Sequence, residues 1–299
     1  MTPSSSSPTP LPLLAPAARG ILVQGLGGGA GRDHAARMLE YGSPLVAGVA
    51  PGRGGTRVAG LPVFDTVAEA RAVTGAAASV AFLPPAAAGE GLMEAAEAGL
   101  ELVAIVTEGA PLHDMLAALE LARLRGTTVV GPNSPGLLVP GRLLMGFLPH
   151  RCAMPGPCAV LSRSGTLSYE VVSALTAAGV GQTLWLGVGG DEVKGVTFAE
   201  LVPQLLQAGE ARVLVLVGEI GGTDEEDAAA VLAGAPIPAV AIVAGRTAPP
   251  GVRMGHAGAL IAGDSGTYET KRAALEAAGV EVAVRPSEVP GLVRAALRR

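Results

Sequence analysis

The chain has 299 residues, a mass of 29.6 kDa and a formal net charge of −5 at pH 7. Because 49% of the residues are hydrophobic and only 16% are charged, the chain can bury a sizeable core, and this composition excludes a disordered polyelectrolyte. The 21 basic residues, of which only Lys194 and Lys271 are lysines, are spread thinly along an acidic chain. That distribution disfavours nucleic acid as the main partner, and no apolar run approaches the ~18 residues of a membrane span.

The amino-terminal stretch, residues 1–18, is rich in serine and proline and carries no charged side chain. Its composition predicts a disordered tail, and it lacks the basic start of a signal peptide and the arginines of an organelle transit peptide. The spacing of Cys152 and Cys158 is unlike that of zinc or redox motifs, so we expect two reduced thiols. The sequence therefore predicts a cytoplasmic protein with no membrane partner.

From Gly20 onward, short apolar runs alternate with alanine-rich stretches of helical spacing. In the first half the predicted strands are 21–25, 45–49, 79–83, 102–106 and 127–131, and the predicted helices include 66–74, 86–98 and 113–125. A segment rich in proline and glycine follows at 132–157, and the alternation then restarts.

In the second half the predicted strands are 158–162, 183–188, 212–218, 239–245 and 280–284, and the predicted helices are 165–178, 197–208, 223–233, 267–278 and 286–298. Continuous apolar strands that alternate with helices are typical of parallel sheets covered on both faces. We therefore predict an α/β protein with a Rossmann-like domain over 19–150 and a flavodoxin-like open-sheet domain over 151–299. Ligands of such sheets bind at the carboxyl ends of the strands.

A glycine-rich loop, Gly25–Gly31, comes directly after the first predicted strand and opens a helix. Glycines there let the backbone approach a pyrophosphate, although FAD, NAD and CoA all use such a turn, and a tight packing turn is the plainer alternative. The second strand is followed by Arg53 among glycines, where an NAD ribose would require an acidic residue. A basic residue favours a phosphorylated cofactor over NAD.

Three further loops follow predicted strands of the second half. Ser162–Thr166 offers hydroxyls at a helix start, which fits either an anion site or an ordinary helix cap. Glu219 lies among glycines at a strand end, and His256 lies between two glycines. Together they predict phosphoryl chemistry in which the carboxylate orients the imidazole and the helix start holds the phosphate. We expect His113 and His150 to be structural.

Nine motifs occur in order along the chain, at 24–31, 51–56, 61–70, 106–116, 131–136, 162–170, 187–191, 218–222 and 253–259. As a set they closely resemble the α subunit of succinyl-CoA synthetase, also called succinate–CoA ligase. The resemblance extends from about Gly20 to the carboxyl terminus. It implies a CoA-binding domain followed by a ligase domain.

The resemblance also implies roles for individual residues. His256 would be transiently phosphorylated, Glu219 would hydrogen-bond it, and Ser164, Gly165 and Thr166 would bind phosphate. The positions matched to CoA binding are Gly25, Gly27, Gly28, Gly29, Ala30, Gly31, Arg53, Val106, Thr107, Glu108 and Asn133. A small dicarboxylic acid would be the other substrate. An ATP-grasp β subunit, in a heterodimer or heterotetramer, would hold Mg²⁺ and ATP or GTP, and no metal site is expected on this chain.

Several positions depart from the family pattern. The first glycine loop lacks the family's two threonines and phenylalanine, Ser134 replaces a cysteine, and Glu192 replaces a proline. These changes leave open a related ligase for another acid such as malate. A non-catalytic CoA-binding regulator would be expected to lose the phosphorylatable histidine, and an NAD-dependent oxidoreductase is disfavoured by Arg53.

Overall fold

Two seven-stranded sheets follow one another along the chain, each with helices packed on it. The computed structural model describes residues 12–249, 251–261 and 265–299. The elements of the first sheet and its helices are β1 (Ile21–Gln24), α1 (Gly29–Glu40), β2 (Leu45–Val49), β3 (Arg57–Val58), β4 (Leu61–Phe64), α2 (Val67–Thr74), β5 (Ala78–Ala81), α3 (Pro85–Glu97), β6 (Leu102–Ile105), α4 (Leu112–Arg125) and β7 (Thr128–Val130).

The first sheet has the order β3-β4-β2-β1-β5-β6-β7. Six of these strands are parallel and follow the Rossmann order, with β1 central, and the short β3 pairs antiparallel to β4 at one edge. The direction of winding reverses beside β1, so the loop after β1 lies at the switch point where such sheets bind ligands.

The second sheet and its helices comprise β8 (Gly136–Val139), β9 (Leu143–Gly146), β10 (Pro155–Ser162), α5 (Gly165–Ala177), β11 (Gln182–Gly187), α6 (Phe198–Ala208), β12 (Val213–Glu219), α7 (Asp224–Leu232), β13 (Ala239–Ala244), α8 (Tyr268–Ala277), β14 (Glu281–Ala283) and α9 (Val289–Ala296). Their strand order is β14-β13-β12-β10-β11-β8-β9. The five parallel strands follow the flavodoxin order, so the predicted fold class is confirmed.

The chain changes sheets earlier than the sequence predicts. The strands β8 and β9 form a hairpin, and β8 pairs antiparallel with β11 of the second sheet. The second sheet therefore begins at Gly136, before the domain boundary predicted at residue 150. Both strands are only four residues long and lie in the segment rich in proline and glycine, so their sequence is typical of a linker.

Of the tail predicted over 1–18, residues 12–18 lie in a helical segment and residues 1–11 lie outside the described residues. Pro12–Arg19 forms a 3₁₀ helix that buries Leu13, Pro16 and Ala17, and Arg19 pairs with Glu101. Leu13 and Ala17 are four residues apart and pack into the same apolar core as β1. Their burial holds this segment to the sheet.

One apolar core continues from the first sheet into the second. Ile21 and Met38 of the first domain belong to the same buried cluster as Leu137 and Leu144 of the hairpin. Ser43 joins the domains through hydrogen bonds, because its hydroxyl donates to the Leu144 carbonyl at 2.7 Å and accepts from the Leu144 amide at 3.0 Å. Among the described residues, no helix is long and apolar enough to cross a membrane.

We expect Ser43→Ala to lower the free energy of unfolding by about 1–3 kcal/mol, because it leaves two buried backbone groups of the edge strand without partners. Chemical denaturation monitored by circular dichroism measures this change. The matched control is Ser287→Ala at an exposed position, which should change stability by less than about 0.5 kcal/mol. An equal loss in both variants would show that Ser43 does not hold the domains together.

Candidate active site

His256 and Glu219 meet at the carboxyl-terminal edge of the second sheet. Glu219 is the last residue of β12 and is 5% exposed, and His256 lies in the segment between β13 and α8. The distance from His256 Nδ1 to Glu219 Oε2 is 2.8 Å. An ionised carboxylate only accepts hydrogen bonds, so Nδ1 carries the proton and Nε2 is left with its lone pair.

The loop after β11 supports the imidazole from the other side. The Gly258 amide donates to the Gly190 carbonyl at 3.0 Å, which ties the histidine segment to this loop. A Cβ at Gly190 would lie 2.5 Å from His256 Cγ, so only glycine leaves room for the ring. The preceding Gly189 has a φ of +107°, which a residue with a side chain rarely adopts.

The pKa of His256 is raised from its ordinary value of 6.5. The main cause is the hydrogen bond to Glu219, which outweighs the opposing effect of burial. The protonated ring therefore stabilises the fold fully below pH 6.5, and this contribution is lost as the pH rises through the folded-state pKa.

A cavity of about 380 Å³ lies in front of His256 and has walls from both domains. Six of its residues are among those predicted from the sequence: Val106, Glu108, Asn133, Gly165, Thr166 and His256. The sequence did not predict the others: Ser134, a family cysteine position, and Pro135, Phe147, Leu148, Pro149 and Tyr169. Phe147, Leu148 and Pro149 follow the unpredicted hairpin, which explains why this wall was missed.

The amino terminus of α5 faces this cavity. Ser164 caps the helix, since its hydroxyl accepts from the Leu167 amide at 3.2 Å, and Gly165 and Thr166 form the first turn. The sequence offered an anion site or a helix cap for this loop, and Ser164 is the helix cap. Gly165 and Thr166 place the positive end of the helix dipole beside His256, where it favours an anion.

The glycine loop after β1 forms a second open helix terminus. Gly25 has a φ of +81°, the Gly28 amide donates to its carbonyl at 3.0 Å, and a Cβ at Gly31 would collide with that carbonyl oxygen. Within the described chain, no side chain caps α1. Arg53 lies against Gly27, with its Cδ 3.2 Å from the place of a Cβ there, so the structure brings the predicted loop and its basic residue together.

Aromatic rings connect α1 with the cavity. His34 of α1 stacks on Phe82, with ring centroids 5.1 Å apart, and lies 5.6 Å from the ring of Phe147 in the cavity wall. Burial is the main reason that the pKa of His34 is lowered from its ordinary value. Thr107 does not reach this cavity, because it is nearly buried and its hydroxyl donates to the Leu83 carbonyl at 2.7 Å.

The altered loop after β11 also contacts the cavity. Asn133, with a φ of +52°, donates from Nδ2 to Asp191 Oδ1 at 2.9 Å. Burial is the main reason that the pKa of Asp191 is raised. Glu192 lies 3.7 Å from Arg253, so the residue that departs from the family proline touches the histidine segment.

The buried cluster of charged residues behind His256 was not predicted from the sequence, although one of its members, Glu219, was singled out there. Its members are Arg163, Lys194, Glu219, Asp224, Glu225, Glu226 and Lys271. Arg163 is 1% exposed and Glu225 and Lys271 are fully buried. The sequence feature that could have indicated this cluster is Arg163, which lies between Ser162 and Ser164 at the end of a predicted strand. Within the described ranges, this cluster included, no group of three or more His, Cys, Asp or Glu side chains could hold a metal ion.

Comparison with known proteins assigns the chain to a protein family. A CoA-binding-domain model matches residues 18–109, and a CoA-ligase model matches residues 161–281. Succinate–CoA ligase (ADP-forming) subunit alpha 2 of Archaeoglobus fulgidus is 47% identical over 273 residues, which are 91% of this chain and 95% of that protein. The chain belongs to the succinate–CoA ligase alpha-subunit family.

Other members and solved structures agree with the family assignment. The alpha subunit of succinate–CoA ligase (ADP-forming) from Staphylococcus aureus is 44% identical over 90% of this chain and 89% of its own length. ATP citrate lyase from Methanothrix soehngenii, solved with citrate and coenzyme A, superposes with a TM-score of 0.84 at 25% identity over 93% of this chain. This chain spans about half of that longer chain, 49% of it.

A more distant structure shows the same fold. The dinucleotide-forming acetyl-coenzyme A synthetase 1 of Ca. Korarchaeum cryptofilum has a TM-score of 0.72 at 20% identity over 89% of this chain. Members of the succinate–CoA ligase family are acid–thiol ligases. The resemblance and the enzyme class predicted from the sequence are therefore confirmed, and the oxidoreductase alternative is set aside.

We expect Gly190→Ala to lower the pKa of His256 toward 6.5, because the new methyl group would displace the ring from Glu219. The overpacking should also cost about 1–3 kcal/mol of stability. An NMR titration of the histidine ring protons measures the pKa. The matched control is Gly291→Ala in α9, where a Cβ meets open space and the pKa of His256 should not change. An unchanged pKa in the Gly190 variant would contradict this packing.

Proposed function

We propose that this chain is the α subunit of an ADP- or GDP-forming succinate–CoA ligase, which forms succinyl-CoA reversibly from succinate and CoA. The observation that carries the proposal is the His256–Glu219 hydrogen bond of 2.8 Å at a cavity that also holds a helix amino terminus. A histidine held through Nδ1 presents Nε2 as a nucleophile, and the helix dipole stabilises a phosphoryl group placed on it.

The proposed reaction passes one phosphoryl group through His256. Nε2 attacks the terminal phosphorus of the nucleoside triphosphate, the bond to the diphosphate oxygen breaks, and the diphosphate leaves. The phosphoryl group then moves from Nε2 to a carboxylate oxygen of succinate, which restores the free ring. The CoA thiolate attacks the acyl carbon of succinyl phosphate and releases inorganic phosphate.

The surrounding residues have distinct parts in this scheme. Glu219 keeps the proton on Nδ1 and stabilises the positive ring that exists while Nε2 bears phosphate. Gly165 and Thr166, with Ser164 as the helix cap, offer the amide groups of α5 to the phosphate. Neutral imidazole is the nucleophile, so phosphorylation by the triphosphate requires loss of the second ring proton, which the raised pKa makes pH-sensitive.

CoA is the second proposed substrate. Gly25 to Gly31 and Arg53 form an open helix terminus with an adjacent cation, which suits the CoA phosphates. Val106, Glu108 and Asn133 line the cavity, and Thr107 supports the loop that carries Val106 and Glu108. This loop of the first domain therefore reaches the cavity in front of His256. The stacked rings of His34 and Phe82 lie between the glycine loop and the cavity, and they suit the apolar parts of the pantetheine arm of CoA.

A β subunit is the proposed partner. The relatives are named alpha subunits, and the described residues offer no metal-binding group of three acidic, His or Cys side chains. An ATP-grasp β subunit would supply the nucleotide and its Mg²⁺, in a heterodimer or heterotetramer. The free cysteines Cys152 and Cys158 support a reducing, cytoplasmic location. Neither a nucleic acid nor a membrane is a proposed partner.

A ligase for another small dicarboxylic acid, such as malate, is the second candidate. The observation that favours it is the altered loop after β11, where Asp191 contacts Asn133 of the cavity and Glu192 contacts Arg253. A charged loop in place of the family's proline can change which acid the cavity accepts. Rates with succinate, malate and citrate as alternative acids decide between the candidates.

We expect His256→Ala to abolish phosphorylation of this chain by γ-³²P-labelled ATP or GTP in the presence of the β subunit, because the only proposed acceptor is removed. Autoradiography after alkaline electrophoresis, which preserves phosphohistidine, measures the label. The matched control is His113→Ala at an exposed position, which should label like the unchanged chain. Label retained in the His256 variant would contradict the mechanism.

We expect Arg53→Ala to raise the KM for CoA by about tenfold or more with little change in kcat, because it removes one charge-assisted contact with a phosphate. Arg53→Lys should recover most of the affinity, since it keeps the charge. Steady-state kinetics with varied CoA measure both constants. The exposed Arg71→Ala serves as a charge-matched control. A lowered kcat with unchanged KM would count against a CoA-binding role.

A further inference from the structure

Arg163 is the most deeply buried arginine side chain in the described chain and lies outside the cavity that holds His256. It directly follows β10 and precedes the helix cap Ser164, yet only 1% of its surface is exposed. Burying a guanidinium is costly unless its charge is paired and its donors are satisfied. Nη1 and Nη2 of Arg163 have hydrogen-bond partners, and Nε has only an ion pair. The contacts of Arg163 therefore show what this position is built to hold.

The two terminal nitrogens of the guanidinium contact Glu219 and the segment that carries His256. Arg163 Nη2 lies 3.3 Å from Glu219 Oε1, the carboxylate oxygen that His256 does not use, and donates to the Gly258 carbonyl at 3.4 Å. Nη1 donates to the carbonyls of Gly221 at 2.7 Å and Glu219 at 3.2 Å. The same side chain thus fixes the end of β12 and the segment two residues beyond His256.

The charge of the guanidinium is also balanced by the first turn of α7. Arg163 Nη1 lies 3.3 Å from Glu225, and Nε lies 3.6 Å from Asp224 Oδ2. Lys194 pairs with Asp224 at 2.6 Å, and the fully buried Lys271 pairs with Glu225. Three cations therefore face three buried carboxylates, and the partly exposed Glu226 adds a fourth carboxylate beside Lys271, so Arg163 can stay charged beside Glu219.

Only an arginine has the shape for these contacts. A planar guanidinium presents donors on both edges in a fixed fork, whereas a lysine ammonium is one compact charge. A lysine here could satisfy one carboxylate but could not also bind the carbonyls of Gly221 and Gly258. The contacts of Arg163 therefore depend on the shape of its guanidinium as well as on its charge.

We propose that Arg163 is a positioning residue for phosphoryl transfer, which fixes Glu219 and the Gly258 carbonyl so that His256 stays protonated on Nδ1 and presents Nε2 to the cavity. This inference rests on the proposed phosphohistidine mechanism. A neutral histidine side chain free in water favours the tautomer with the proton on Nε2, which cannot accept a phosphoryl group there. A carboxylate held toward Nδ1 reverses that preference, and Arg163 prevents the carboxylate from turning away.

The test uses Arg163→Gln alone and combined with Glu225→Gln, in the full chain with its β subunit. Arg163→Gln removes the fork and leaves buried carboxylates in excess, so it should lower both stability and His256 labelling. The second change removes one buried carboxylate, restores the charge balance and should restore the unfolding midpoint. Lys271 keeps Glu226 and the Gly222 carbonyl as partners in that variant.

The two readouts are the initial rate of His256 labelling and the ring tautomer, from ¹⁵N shifts in histidine-labelled protein. We expect the charge-balanced double variant to label about 100-fold more slowly than the unchanged chain and to shift His256 toward the Nε2–H tautomer. Arg163→Lys should give an intermediate rate. The exposed Arg272→Gln, which loses only a surface pair with Glu276, is the matched control for both readouts.

Wild-type labelling and an Nδ1–H tautomer in the double variant would overturn the proposal and leave Arg163 a purely structural residue. The tautomer is read from the signals of folded molecules, so it decides the question even where a variant is partly unfolded. Failure of the proposed function looks different, because then the unchanged chain itself would carry no label on His256.

Discussion

The register of β12 against its two neighbours is the constraint on which the edge that carries Glu219 and His256 depends. Ser162, the last residue of β10, lies opposite Val217, so β12 continues two residues further to Glu219, which lies opposite Ala244 of β13. This stagger places the Glu219 carboxylate beyond the end of β10, above Arg163 and the start of α5. A shift of one residue would turn Glu219 to the other face of the sheet and remove the partner of His256.

The cavity in front of His256 exists because the two domains are packed as one body. Its first-domain wall comes from the segment after β6, and its second-domain walls come from the hairpin and from α5. The shared apolar core and the Ser43 hydrogen bonds keep these walls together. The cavity therefore relies on interdomain packing by residues, such as Ser43 and Leu144, that do not line it.

The sequence predicted the periodic part of this architecture well. Strands such as β12, in which every residue is buried, are recognisable in the sequence as continuous apolar runs. The loops around Gly25 and His256 are recognisable by glycines, which lie where the backbone turns sharply or where the His256 ring comes close. The hairpin β8–β9 could not be predicted, because its strands are stabilised by residues distant in the sequence, such as Trp185 opposite Leu138 and Ser43 beside Leu144. The charge cluster was missed for a related reason. A single sequence shows charged residues in helix first turns, such as Asp224 and Glu225, as solvated caps, and only the folded chain reveals that Arg163 lies beneath them.

The placement of the lysines has a practical consequence. The chain has only two, and their side chains are 7% and 0% exposed within the charge cluster. Reagents that acylate side-chain amines would find almost none at the surface of the native protein. The rate at which such a reagent modifies Lys271 would therefore report how often the region behind His256 opens, which makes this residue a natural probe of local unfolding.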